Sequence, residues 1–339
     1  MRGPIVHNRI ERLGLLAEAE NPSGGIPGLG QEYKGFSVAI VTAADEPFAR
    51  PLLDLCASLG PWRQNLRVID IGLGAATRDE LARMNVDVQP AAEELFAGAR
   101  LLNNYVKALY LRPQLPELVA ADIIMWIDSD CWLQRQEGIT AYLDSAIEFP
   151  DKFTLCAMLD VDYPRCIDDY WPYQERYREQ YAALFGTQEA ERLFGKAVLS
   201  AGVFAARRTA PAWAAWRATV SQVYRSDAAF ARPDLAHMGE QLSLNLVLHR
   251  ERAYRILNAE MNWHCHCSNV VREGEFVRIR PSGRVPAIVH LSDLKDPATL
   301  GRYRVNRLFY EKCRGGLAPL RGFWSRLRRP ASAVSPYRN

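Results

Sequence analysis

The sequence predicts an α/β domain with a mostly parallel central sheet flanked by helices, and three observations carry that expectation. From residue 36 onward, short apolar runs suited to strands buried on both faces alternate with helical patterns. A composition of 48% hydrophobic and 24% charged residues over 339 positions supplies a sizeable core and excludes disordered or collagen-like chains. An apolar run from Ile123 to Ile127 passes straight into Asp128-Ser129-Asp130. That is the place, beyond the carboxyl end of a strand, where open α/β sheets bind ligands.

Residues 1–34 hold one short helical pattern (Ile10, Leu13, Leu16, Ala17) and a breaker cluster from Asn21 to Gly30, and read as an arm or lid before the domain. Val38 to Val41 is the first strand, Pro51 to Leu59 a helix, and Leu66 to Ile71 a second strand. Thr77-x-x-Glu80 reads as a capping box opening the next helix. Leu95 to Leu111 is helical, and Ile123 to Ile127 is the strand before the paired aspartates. Beyond residue 150 the strands shorten and the loops lengthen: Tyr163 to Phe185 reads mostly as helix, Val198 to Ala206 as strand, Gly239 to His249 as helix and Ile288 to Leu291 as a last strand. One domain over residues 35–300 follows, with a nucleotide half at about 35–130 and a decorated acceptor half at about 131–300.

Seven cysteines spread over a long chain do not form a disulfide framework and fit a reducing, cytoplasmic compartment. No stretch reaches the roughly 18 uninterrupted apolar residues of a membrane-spanning helix. The net charge of +3 is uneven: Lys312 to Asn339 carries seven basic residues and no acidic one, so residues 1–311 are mildly acidic. The body therefore lacks the basic stripe of a nucleic-acid-binding domain, and no nucleic-acid partner is expected.

Two aspartates at i and i+2 where a chain leaves a strand can turn toward one point. Unpaired they would repel each other, so a divalent cation is their natural partner. Hard oxygen ligands favour Mn2+ or Mg2+, which commonly join protein carboxylates to substrate phosphates.

Further motifs stand in order around this pair. Val41-Thr42-Ala43-Ala44-Asp45 ends the first strand, Val68-Ile69-Asp70-Ile71-Gly72-Leu73 forms a second strand and turn, and Tyr105-Val106-Lys107 sets a basic residue on a helix. After Asp128-Ser129-Asp130 come Leu199-Ser200-Ala201-Gly202-Val203, Gly239-Glu240-Gln241 with Asn245, Leu257 to Asn262, Ile288-Val289-His290-Leu291 and then Lys295. Over about residues 36–295 this series resembles glycosyltransferases of the GT-A fold, nearest the family-8-like group that includes bacterial lipooligosaccharide galactosyltransferases and glycogenin. Ser200 stands where the group has Asn, Glu240 and Leu242 stand for two Asp, Lys107 stands for Arg, and no Trp follows Lys295.

The resemblance implies a metal-dependent hexosyltransferase that moves a sugar from a UDP-sugar to an acceptor, a glycan, lipid-linked sugar, peptide or small molecule, with retention favoured. It implies a metal site of Asp128, Asp130 and His290, and nucleotide contacts from Thr42, Ala43, Asp45, Lys107, Ser129 and Lys295. Asp160, Ser200, Ala201 and Gly202 would meet the donor sugar, and Glu240 or Gln241 would lie beneath its anomeric carbon. Such an ion acts as a Lewis acid on the departing diphosphate, and a lysine adds a second positive contact.

Three other readings compete. The stretch from Val68 to Ala76 also resembles the glycine-rich loop of S-adenosylmethionine-dependent methyltransferases, although an earlier strand precedes it and no acidic residue clearly ends a strand about 20 positions on. A non-catalytic binding protein on the same fold would explain Ser200 and Leu242. His264-Cys265-His266-Cys267 suggests zinc, but consecutive ligands lack the spacing of structural zinc sites, and a loop lining the acceptor pocket fits better. The basic tail, residues 301–339, places Leu317, Leu320, Phe323, Trp324 and Leu327 at helical spacing among arginines. Its 314–329 segment is suited to an anionic membrane surface, which would set the protein peripherally at the inner face of the cell membrane.

Overall fold

The computed structural model describes residues 32–96, 103–158, 166–265, 270–273, 276–279 and 282–291. The expected arm before residue 32, Asp160, His266, Cys267, Lys295 and the basic tail lie outside the described residues.

Twelve strands are described: β1 (Val38–Ala44), β2 (Leu66–Asp70), β3 (Asp87–Pro90), β4 (Ile123–Ile127), β5 (Cys131–Leu133), β6 (Phe153–Ala157), β7 (Leu199–Arg207), β8 (Tyr254–Leu257), β9 (Trp263–His264), β10 (Val270–Glu273), β11 (Phe276–Ile279) and β12 (Ile288–His290). The helices are α1 (Ala49–Ser58), α2 (Ala75–Arg83), α3 (Asn104–Leu111), α4 (Leu115–Leu118), α5 (Glu137–Glu148), α6 (Cys166–Phe185), α7 (Thr187–Leu193), α8 (Ala212–Val223), α9 (Asp227–Ala231) and α10 (Pro233–Glu251).

Seven strands form the central sheet in the order β3-β2-β1-β4-β7-β6-β8. All run in one direction except β7, which pairs antiparallel with both β4 and β6. The start of β7 therefore lies beside the end of β4, where Val203 pairs with Ile127. That reversal brings Ser200 and Gly202 to the aspartates.

Strand alternation divides the core between the two faces of the sheet. Ile124 and Trp126 of β4 join Val106 of α3, Trp213, Trp216 and Val220 of α8, and Leu244 and Val247 of α10. Ile123, Met125 and Ile127 join Leu52 and Leu55 of α1, Leu81 of α2, and Ile139 and Leu143 of α5. This double burial is why β4 reads as an unbroken apolar run. A third cluster packs Trp263, Cys265, Val289 and Leu291 of the small β5-β12-β9 sheet region against Tyr177 and Tyr181 of α6 and Leu242 and Leu246 of α10. No helix among the described residues is long and apolar enough to cross a membrane.

Two helix starts differ from expectation. Helix α2 opens at Ala75, and Thr77 caps nothing: its hydroxyl donates to the Glu46 carboxylate, which also accepts from the Gly74 N–H at 2.6 Å. A distant carboxylate replaces the local capping box. Helix α10 opens at Pro233 rather than Gly239, so Glu240 lies beyond its first turn and outside the reach of the N-terminal dipole.

Candidate active site

The expected metal residues meet at the carboxyl end of β4. His290 on β12 places Nε2 3.4 Å from Asp130 Oδ1 and 3.6 Å from Asp128 Oδ2. Backbone bonds fix the arrangement: Asp128 N–H donates to the Gly202 carbonyl at 2.8 Å, and Leu291 N–H donates to the Asp130 carbonyl at 2.9 Å. Burial pulls the His290 pKa down, but Asp130 and then Asp128 outweigh it and leave it raised.

Neighbouring groups determine which imidazole nitrogen faces the carboxylates. Asn262 donates its Nδ2 to Ser200 Oγ at 3.1 Å, so its Oδ1 is the acceptor for His290 Nδ1, 3.1 Å away. A proton held at Nδ1 leaves the Nε2 lone pair toward Asp128 and Asp130. His264 completes this layer, bonded to Ser200 Oγ at 3.2 Å with its ring 4.6 Å from that of His290. Gly202 makes room for it, since a Cβ there would stand 2.4 Å from His290 Cε1.

Two carboxylates and an oriented imidazole are a donor set that fits Mn2+ or Mg2+. Cys131 also lies within reach of Asp130 and His290. Burial raises its pKa well above the ordinary thiol value, so the sulfur stays protonated and is a poor ligand beside Asp128.

Behind the aspartates lies a residue that sequence reasoning missed. Arg112, in the turn after α3, is buried; it donates one nitrogen to Asp128 Oδ1 and the other to Glu240 Oε2 at 2.9 Å. Trp126 also donates its indole N–H to Asp128 Oδ1, at 2.8 Å, while its ring lies 5.0 Å beneath the guanidinium. Oδ1 is thus occupied by two donors, and Oδ2 is left for the metal position. Lys107, expected as a nucleotide contact, pairs with Glu93 at 3.6 Å, lies over the Phe96 ring and does not border the cavity. The missed signal was Tyr110-Leu111-Arg112, which repeats the Tyr-x-basic spacing one and a half helical turns later, with arginine in place of lysine.

Glu240 is 1% exposed. Burial lifts its pKa to about 7 against the pull of Arg112, and its Oε1 has no hydrogen-bond partner among the described residues. Gln241, by contrast, is engaged. Its Oε1 accepts from the Ala201 N–H at 3.3 Å, and its Nε2 meets Met158 Sδ at 2.9 Å and the Tyr177 hydroxyl at 3.4 Å. Asn245 ties α10 to β7 through both its amide atoms, donating to the Leu199 carbonyl and accepting from the Leu199 N–H.

Asp128, Asp130, His290, Arg112, Glu240 and Gln241 border a cavity of about 290 Å³, lined also by Ala43, Asp45, Ser129, Ser200 and Gly202. Thr42 is fully buried with an unpartnered hydroxyl and does not border it; Ala201 reaches the site through its N–H bond to Gln241. The glycine-rich turn after β2 does not offer a cofactor cradle. The N–H groups of Gly72 and Leu73 donate to Asp70, and that of Gly74 donates to Glu46, so none is left for a ligand. The methyltransferase reading fails on that geometry. Of the proposed zinc cluster, His264 borders the cavity while Cys265 packs in the third core cluster.

A sheet of this order, with a reversed strand beside the Asp-x-Asp turn, is the GT-A fold of nucleotide-diphospho-sugar transferases, as the family-8-like resemblance implies. The chain is similar to an active-site mutant of LgtC, with a TM-score of 0.53 and 18% identity over 85% of this chain and 99% of that one. LgtC in complex with donor and acceptor sugar analogs, described as a galactosyltransferase, matches at 17% identity over the same shares with a TM-score of 0.47. The bifunctional glycosyltransferase WbbM matches at 12% identity over 80% of this chain and 48% of that one, with a TM-score of 0.49. Neither a protein-family profile nor a curated protein sequence matches the chain.

Proposed function

We propose that this chain is a metal-dependent, retaining glycosyltransferase of the family-8-like group, moving a hexose from a UDP-sugar to a sugar acceptor. The observation that carries the reading is that His290 Nε2 lies 3.4 Å from Asp130 Oδ1 and 3.6 Å from Asp128 Oδ2 beyond the end of β4, in a cavity that Glu240 also borders. When bound there, a divalent cation would act as a Lewis acid and template for the donor diphosphate. Solved neighbours include a glucosyl-3-phosphoglycerate synthase complex with Mn2+ and UDP, and LgtC with donor and acceptor analogs.

The chain's own residues divide the remaining work. Asp45, whose carboxylate makes no hydrogen bond among the described residues, can accept the uracil N–H at the end of β1. Ser200, Gly202 and the Ala201 backbone form the wall against the donor sugar. Arg112 holds Asp128 and Glu240 in place, keeping their like charges compensated in a buried setting. The C–O bond from the anomeric carbon to the diphosphate breaks, and its electron pair leaves with UDP. The acceptor hydroxyl oxygen bonds to that carbon from the same face, and its proton passes to the departing diphosphate oxygen. Ionised Glu240 stabilises the positive charge that builds at the anomeric carbon. Gln241 is less suited, because both ends of its amide are engaged.

The test is a panel of UDP-sugars with Mn2+, read by UDP release, followed by the anomeric configuration of the product by NMR. Release that disappears in Asp130→Ala supports the reading. No release with any donor overturns it, and an inverted product overturns retention.

A further inference from the structure

The wall of the cavity opposite the aspartates has a different chemistry from the rest. Helix α6 lines it with Tyr173, Arg176, Tyr177 and Gln180, whose spacings of three, one and three place them on one helical face. The early turns of α10 add His237 and Met238. The described carboxylates that border the cavity are Asp45 after β1, Asp128 and Asp130 after β4, and Glu240 on α10; none is on α6.

The cations of the cavity are equally divided. Arg112 is bound to Asp128 and Glu240, and His290 faces Asp130. His237 stacks on Tyr105 with ring centroids 4.7 Å apart, its Nε2 3.3 Å from the tyrosine hydroxyl. Among the described residues, Arg176, which is exposed, is the arginine bordering the cavity without an ion pair or hydrogen bond. Its neighbours on α6 are engaged: Glu175 pairs with Arg178 at 2.9 Å, and Gln180 donates to Asp234. An unpaired guanidinium on an aromatic wall provides a planar donor fork for a carboxylate or phosphate, and the partly exposed Tyr173 provides a ring face for the C–H face of a sugar.

We propose that the acceptor is a saccharide carrying a negative charge, a uronate carboxylate or a phosphate, which Arg176 recognises between Tyr173 and Tyr177. The inference rests on the glycosyl-transfer reading above and adds the class of acceptor to it. Helix α6 thus serves both packing and cavity, with Tyr181 in the core and Tyr173 on the cavity.

The experiment uses the full chain with Mn2+ and its turned-over UDP-sugar, and matched acceptors: a neutral hexose or disaccharide, its uronate and its phosphate. Wild-type protein is expected to favour a charged member of the set by at least about tenfold in kcat/KM, mostly through KM, as fits one charge-assisted contact. The uronate and phosphate arms identify which anion is used. Arg176→Met should abolish the charged-over-neutral preference, and Arg176→Lys should restore part of it. A wild-type enzyme that uses the neutral acceptor as well as the charged ones, or an Arg176→Met variant that keeps the preference, overturns the assignment while leaving glycosyl transfer intact. No UDP release with any donor overturns both.

Discussion

Arg112 and Glu240 stand 128 positions apart in the chain, yet their side chains meet at 2.9 Å in the cavity floor, each almost fully buried. The other arm of Arg112 holds Asp128. One cation therefore secures a carboxylate from the sheet and another from α10.

Removing that cation should be costly. Arg112→Met leaves two carboxylates uncompensated in a low-dielectric setting, and the expected loss is about 3–5 kcal/mol of unfolding free energy, read by urea denaturation. The double variant Arg112→Met, Glu240→Gln should regain a large part of it. Equal stability of wild type and Arg112→Met would show that water reaches this pair.

Glu240 predicts two pH effects. Burial raises its pKa to about 7 from an ordinary 4.5, so the folded state holds its proton more tightly than the unfolded state. Its contribution to stability is present below pH 4.5 and is lost as pH rises toward about 7, and Glu240→Gln should flatten the unfolding free energy across that window. Sugar transfer should instead rise as pH passes through about 7, where the folded carboxylate ionises, and this limb should vanish in the amide variant. A rate profile with an unchanged acid limb in Glu240→Gln would remove Glu240 from the reaction.

Metal affinity separates Asp128 from Cys131. Mn2+ binding followed by electron paramagnetic resonance should weaken about 10–100-fold in Asp128→Ala and stay within about twofold in Cys131→Ala, because a buried, protonated thiol contributes little to a hard cation. The reverse order would make the cysteine the ligand.

Gly202 should tolerate no side chain. A Cβ would lie 2.4 Å from His290 Cε1 and 3.0 Å from Asp128 Oδ2, so Gly202→Ala must displace two of the three groups at the metal position. Mn2+ affinity is expected to fall about 10–100-fold, the scale seen when a ligand's support is lost. Far-UV circular dichroism should remain native-like, which separates a displaced site from an unfolded protein.

The fold was legible because both faces of its central strands are buried. Val38 to Val41 and Ile123 to Ile127 read as continuous apolar runs and are strands; Leu66 to Ile71, broken by Arg67 and Asp70, still reads as a strand and is one over Leu66–Asp70. The proximity of His290 to Asp128 and Asp130 was legible from a motif and its order. Arg112 was not, because its partners are remote in sequence and Lys107 offered the same local spacing in a more familiar helical setting. The start of α10 was misplaced for a related reason: a Gly suggested a boundary, whereas Gly239 gives clearance where α10 crosses Val223 and Tyr224. The helix cap at Thr77 failed because Glu46, carried in by another loop, competed for the hydroxyl.

The reversed direction of β7 bears on which changes in length the chain could survive. Leu199, Ser200, Ala201 and Gly202 each serve the site from successive positions of one strand, and Val203 to Arg207 are paired residue by residue with β4. Adding or deleting one residue within this stretch would turn Ser200 to the wrong face and carry Gly202 away from His290. The turn between α6 and α7, where Gly186 adopts φ +89 with nothing near its Cβ position, carries no such burden. Insertions and deletions among divergent descendants of this chain should accumulate in connections like that one and be purged from β7, even where substitutions at the same strand positions are accepted.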